Sequence, residues 1–345
     1  MWRQASYLTG GVARRERMHR HAIVLGIGLL IVLSAGPLFG HHLSDGFERV
    51  MAGRDHIGAL CLIALHFLLQ PVHDVFHVLL VLGLAYASLD RGRAWFAMRR
   101  ALGSLRWRPP VEGGAIARAA ASGGVSPTRL RVVRGLPTPA LTVGYLRPVI
   151  YVAAELPAQL SSHELAAVLA HEDAHAARRD PLRLSLVRLL ACMLFWLPAV
   201  RRLADDYADD AEIEADDAAA RLALPGAPLM LASALVTTAS AFTPSSLGGR
   251  DAVSFCSRRE DDLLGRRVRR LAGEDAPVKS HLSRRSMALA VATLGLVWVS
   301  SVAVAHPLPD HSASTHCQHE SGSVLAHLFC RGGHTGDAAC PHQSR

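Results

Sequence analysis

The run His171-Glu172-Asp173-Ala174-His175 holds the residues whose types and spacing are best suited to chemistry. On a helix, side chains four positions apart stand one turn above each other on the same face. His171 and His175 can therefore direct their imidazoles at one ion. Glu172 sits beside them, within reach of water held at that ion and not needed as a ligand, the pattern of a zinc-dependent hydrolase. Zinc lowers the pKa of a coordinated water to about 7, and a neighbouring carboxylate can then take its proton as the water attacks a carbonyl. A catalytic zinc takes three protein ligands and keeps a position open. Glu212 and Asp216, again four apart, place two carboxylates on one face of a later helix. Glu212 is the expected third ligand. Asp216 is the expected acceptor of a hydrogen bond from a ligand histidine, fixing its tautomer. Glu214 rivals Glu212 for the third position. The rest of that acidic run, Asp205, Asp206, Asp209, Asp210 and Asp217, reads as a solvated helix face.

These residues need elements to position them. Ser161 followed by Glu164 forms a capping-box signature, so a helix should start there, carry both histidines and stop before Asp180 and Pro181. Short strands are expected at 130–133, 141–143 and 148–152, the last two joined by a turn at 144–147. A short helix and loop should cover 113–124. One helix is expected over 182–200, most apolar over 189–200, a stretch of about 12 residues too short to cross a bilayer, so it reads as a buried or interfacial helix. A third helix carries the acidic run to Pro225, and a fourth covers 228–242.

Half of the 345 residues are hydrophobic, and three stretches are apolar over about the 20 residues that a membrane-spanning helix needs: 22–40, 57–89 and 287–305. The second reads as one long kinked span or, less comfortably, two short ones meeting near Pro71. The first could instead be a cleaved signal peptide, since a basic stretch precedes it. Arginines crowd the segments before the first span, after Leu89 and before the last span. The positive-inside rule then puts the N-terminus and the large middle region in the cytoplasm and the tail outside. The formal net charge of +8 needs no direct nucleic-acid contact to explain it; orientation and attraction to membrane lipid suffice. The expected organisation is a basic arm over 1–21, a helical hairpin in the membrane over 22–89, a cytoplasmic metallopeptidase domain over 90–285, a last span over 286–305 and a His/Cys-rich tail over 306–345. In class this is α+β, mostly helical: a multi-pass membrane protein whose zincin-like domain carries a small β-sheet.

Two further groups carry ligand chemistry. His66, Gln70, His73 and His77 share one face of the second span, where ionisable groups are functional candidates by default. The tail adds Cys317, Cys330 and Cys340 among seven histidines. Together His66, His73, His77 and the three cysteines form a candidate accessory metal or signal site. Hydrogen bonding between helices and a polar tail without bound metal are the alternatives.

The stretch TPALTVGYLRPVIYVAAELPAQLSSHELAAVLAHEDAHAARRDPL, followed by LFWLPAV and AEIEADDA, resembles the BlaR/MecR-type family of integral-membrane zinc metallopeptidases, the sensors and antirepressors of beta-lactam resistance. The resemblance runs over about residues 100–275. It implies one Zn2+ held by His171, His175 and Glu212, with Glu172 as general base and Asp216 as supporting carboxylate; Arg179 and Asp180 match positions taken as structural. It also implies a cytoplasmic protein substrate, a transcriptional repressor, cleaved as part of signal transduction. Substrate would be received by strand addition along 148–152 or 141–143. Ala215 replaces the cysteine common before the aspartate of the second motif. With about 40 residues after the last span, no penicillin-binding sensor domain is expected. The competing reading is a non-proteolytic or metal-sensing membrane signalling protein. Neither reading fixes an oligomeric state.

Overall fold

The computed structural model of the protein describes residues 56–222, 226–241, 253–254, 261–274 and 280–305. The basic arm, the first expected span at 22–40 and the tail with Cys317, Cys330 and Cys340 lie outside the described residues. The first described element, α1, runs from His56 to Ser104 without a turn at Pro71. From Phe67 onward it is long and apolar enough to cross a membrane, and it is the one such helix among the described residues. It does not stop at residue 89, where the membrane segment was expected to end, but continues about four turns further. The last helix, α8 (Arg284–Ala305), contains the third expected span. Leu79–Ala290 forms one compact unit, and residues 56–78 with 291–305 belong to a second.

The unit that carries the metal motif is mostly helical with a small mixed sheet. Its strands are β1 (Trp107–Arg108), β2 (Leu130–Val133), β3 (Ala140–Val143), β4 (Val149–Ala153) and β5 (Val253–Ser254), in the spatial order β1-β2-β4-β3-β5. β2 and β4 are parallel, with Leu130 opposite Ile150; the other pairs are antiparallel. This corrects the expected route for substrate. β4 is bonded on both sides and cannot accept a further strand, and the outer edge of β3 already pairs with β5 at Leu141 and Thr142.

Helix α3 (Ser162–Arg178) is the centre of the unit. Its start is fixed by a complete capping box: Ser161 Oγ accepts from the Glu164 backbone N–H, and Glu164 Oε2 accepts from the Ser161 N–H at 2.8 Å. Leu165, Ala166, Ala167, Val168 and Leu169 are all buried, so this part of the helix has no wet face. A stretch of helix buried on every side must be apolar all round, and the small Ala166 and Ala167 let its neighbours approach. Those neighbours include α2 (Ala115–Ser122), the sheet, α5 (Pro198–Ala220) and α6 (Ala227–Ala241). The helix ends at Arg179, which has φ 55° and ψ 43° and is the one non-glycine left-handed residue among those described. That turn lets α4 (Asp180–Met193) begin at once, with Pro181 in its first turn, where the missing N–H costs no bond.

The expected single helix over 182–200 is in fact most of α4 and the start of α5. The break at Leu194 and Leu197 precedes Pro198 at the N-terminus of α5; proline is compatible with a first helical turn but not with the interior of a continuing one. On α1, Gly83 permits close contact with the end of α4: a Cβ there would lie 1.9 Å from the Met193 carbonyl oxygen.

Leu169→Ala should cost about 2–5 kcal/mol through the cavity it leaves in this fully buried part of the helix. Ser161→Ala should cost about 1 kcal/mol through loss of the cap. Thermal melting in detergent should show the larger drop for Leu169→Ala.

Candidate metal centre

Two turns of α3 and one of α5 meet at the site. His171, Glu172 and His175 are each 0% exposed, and Glu212 is also buried. The two Nε2 atoms of His171 and His175 face each other at 3.1 Å. Glu212 closes the triangle, with Oε2 3.6 Å from His171 Nε2 and Oε1 3.7 Å from His175 Nε2. Among the described residues these three are the one group placed to share a metal ion. Their spacing suits metal binding, because donors about 2.0–2.1 Å from one tetrahedral zinc stand about 3.3 Å apart.

Each histidine is held from behind. His175 Nδ1 donates to Asp180 Oδ2 at 2.7 Å, and His171 Nδ1 faces Asp216 Oδ1 at 3.0 Å. With a carboxylate against each Nδ1, the tautomer that keeps the proton there is favoured, and the Nε2 atoms face inward, as metal ligation requires. The carboxylates are held in turn. Arg178 Nη2 donates to Asp180 at 2.6 Å and to the Ala211 carbonyl at 3.0 Å, tying the end of α3 to α5. Arg267, delivered by α7 (Asp261–Leu271), donates to both oxygens of Asp216 at 2.8 Å and pairs with Glu212 Oε2 at 2.9 Å. Glu172 Oε2 accepts from Thr142 Oγ1 at 2.5 Å, while its Oε1 is buried with no hydrogen-bond partner among the described residues. An unsatisfied buried carboxylate oxygen is costly. At this place it suits a group that holds water, so the donor set, its spacing and this vacant acceptor all fit a hydrolytic metal.

The electrostatics follow from burial set against neighbours of opposite charge. Burial alone would lower the pKa of His171, but Asp216 and Glu212 outweigh it and raise it to about 9. Burial also raises Glu172, against the opposing pull of His175 and His171. Burial pushes Glu212 and Asp216 upward too, yet Arg267 and His171 hold both below the ordinary carboxylate range. Asp180 is likewise held low, by His175 and Arg178 against its burial.

Asp180 thus does more than the structural part read for it, and Thr142 and Arg267 were not singled out in the sequence at all. Glu214 is turned away, 3.8 Å from Arg178 at the helix surface. The acidic run is not the solvated face it was expected to be. Asp206, Asp209, Glu212 and Asp216 are all buried. Ser280 and the His281 backbone N–H bond Asp206, and the His281 ring meets Asp209 at 3.2 Å. In the second unit, the rings of His73 and His77 lie 4.2 Å apart, and Gln70 donates to Asp74 at 3.0 Å. No third metal-binding side chain joins those two histidines among the described residues. The His66 side chain lies outside them.

The metal-free protein should show a particular pH profile. The raised pKa of His171 contributes stability that is complete below about 6.5 and is lost as pH rises through about 9. The depressed carboxylates act oppositely, their contribution being lost only in acid. Melting temperature in chelator should therefore fall between pH 6.5 and 9, and added zinc, which needs neutral histidine, should raise it most at the upper end. Arg267→Ala should cost metal-free protein about 3–5 kcal/mol, because two buried carboxylates lose their partner; Lys should restore little, lacking the planar fork that bonds both oxygens of Asp216.

Over residues 68–245 the chain matches the family model described as BlaR1 peptidase M56. No curated protein matches it significantly. The matched region contains Thr142, His171, Glu172, His175, Asp180, Glu212 and Asp216, whereas Arg267 lies beyond it. The match covers just over half of the chain and supports a metallopeptidase of the BlaR1 kind. On that ground the chain belongs to the BlaR1 peptidase M56 family.

Proposed function

We propose that this protein is a membrane-bound zinc endopeptidase that hydrolyses peptide bonds in a cytoplasmic protein, a transcriptional repressor, as a step in signal transduction. The observation that carries the reading is the convergence of His171, His175 and Glu212 beside the unpartnered Oε1 of Glu172. Zinc held there would supply Lewis acidity, polarising the scissile carbonyl and acidifying water. The chain's own residues do the rest. Glu172 accepts the proton of the attacking water at Oε1 and delivers it to the departing amine. Thr142 keeps the other oxygen occupied. Asp180 and Asp216 keep both imidazoles in the ligating tautomer. The repressor as substrate and the signalling role rest on the family alone.

The membrane setting belongs to the same proposal. The apolar part of α1 crosses the bilayer with α8 and the segment 22–40, the domain between them faces the cytoplasm, and the tail faces outward. The arginines after Leu89 and before α8 support that orientation.

Glu172→Gln should keep the metal and lose peptidase activity, since an amide preserves shape but cannot take the proton. Zinc analysis beside cleavage of a fluorogenic casein in detergent tests this; equal cleavage by both forms would remove Glu172 from the mechanism. Reporter fusions at Gly113 and at the C-terminus should report opposite sides of the membrane, and the same side for both would contradict the topology.

A further inference from the structure

Thr142 lies in the middle of β3, 0% exposed, with its hydroxyl against Glu172 on α3. Oγ1 is 2.5 Å from Glu172 Oε2 and 3.1 Å from the Glu172 backbone carbonyl. A hydroxyl has one proton to donate. The carboxyl oxygen is nearer, and once the group is ionised it is the stronger acceptor, because hydrogen bonds to ionised acceptors are the shorter and stronger kind. The proton therefore goes to Oε2. The carbonyl of Glu172, in the middle of α3, has its helical partner without Thr142. The consequence falls on the other oxygen. Oε2 is pinned to the sheet, Oε1 has no partner among the described residues, and turning the carboxylate away would leave the threonine proton only the longer contact to the neutral Glu172 carbonyl.

We propose that Thr142 is a positioning residue that locks the Glu172 carboxylate through Oε2, so that Oε1 alone is presented to the reacting groups. This rests on the peptidase reading and deepens it. The threonine touches neither metal ligand nor substrate; it acts through Glu172. The role also accounts for a polar residue within a strand whose other residues, Ala140, Leu141 and Val143, are buried and apolar. A valine would fill the same volume, so what the threonine adds is the hydroxyl. With this hydrogen bond the site keeps the general base at one angle to α3. That is the kind of preorganisation on which proton transfer at a fixed centre depends.

The test is binding of acetohydroxamate to the purified, zinc-loaded full-length protein, read by calorimetry. A hydroxamate combines metal-chelating oxygens with a proton that a correctly aimed carboxylate oxygen receives. Thr142→Val keeps shape and removes only the donor; Thr142→Ser keeps the donor and loses a methyl group. The expected result is about tenfold weaker binding by Thr142→Val, the equivalent of one lost hydrogen-bond arrangement at a charged group. Zinc content and melting temperature should match the parent closely enough to show a folded site, and Thr142→Ser should recover most of the affinity. In the fluorogenic casein assay the loss in Thr142→Val should appear in kcat and leave KM in place. Equal hydroxamate affinity in the parent and Thr142→Val overturns the proposal, as does a Thr142→Ser variant no better than Thr142→Val. If the parent protein binds neither zinc nor hydroxamate, the peptidase reading fails and this one with it. If the parent binds both and Glu172→Gln weakens the hydroxamate while Thr142→Val does not, only the role of Thr142 is refuted.

Discussion

Four carboxylates, those of Glu172, Asp180, Glu212 and Asp216, are buried around two buried imidazoles, and the arrangement holds only if their charge is met locally. Water cannot do it, and an isolated buried carboxylate would neutralise itself by taking a proton. Arg178 and Arg267 supply two positive charges. The balance left is that of one divalent cation. Without the cation the same balance is approached by protons: His171 binds one up to about pH 9, and burial raises the proton affinity of Glu172. A metal bound there would compete with protons for one deficit of charge, which would tie metal affinity, pH and folding stability together.

The architecture serves this constraint. A helix whose middle is buried on all sides brings His171, Glu172 and His175 into the interior, and the left-handed turn at Arg179 brings Asp180 back against His175. The helix α5 contributes its acidic stripe, and α7 closes the charge network from beyond the part of the chain that the family match covers. The same stripe continues to Asp206 and Asp209, where residues just before α8 are bonded. Helix α5 therefore holds Glu212 at one place and the approach to α8 at another. The sheet supplies Thr142 from the opposite side.

The parts of the site legible in the sequence were the local ones. His171, Glu172 and His175 declare themselves by a spacing of four on a helix whose cap, Ser161 and Glu164, is also local. Glu212 and Asp216 follow by the same spacing on α5. Asp180 was visible as a residue and misjudged as to its role, since only the positive φ of Arg179 reveals that the chain turns back. Thr142 and Arg267 had no local signal: their partners are 30 and 51 residues away in the chain. The acidic run misled for a related reason. Charged residues on a helix read as solvated unless the basic and hydroxyl groups that cover them are known, and these come from 267, 280 and 281. In the fold, the strands were recognisable from β-branched and apolar runs, but their order was not, so an interior strand passed for an edge. The proline at 198 was hidden within an apolar run that could have been one helix.

X-ray absorption at the zinc edge of the purified full-length protein is the most direct measurement of the central claim. The account predicts one zinc per chain with nitrogen and oxygen donors at about 2.0–2.1 Å, a signal that His171→Ala abolishes. Zinc bound through sulfur at about 2.3 Å, or a spectrum unchanged by His171→Ala, would place the metal elsewhere and contradict it.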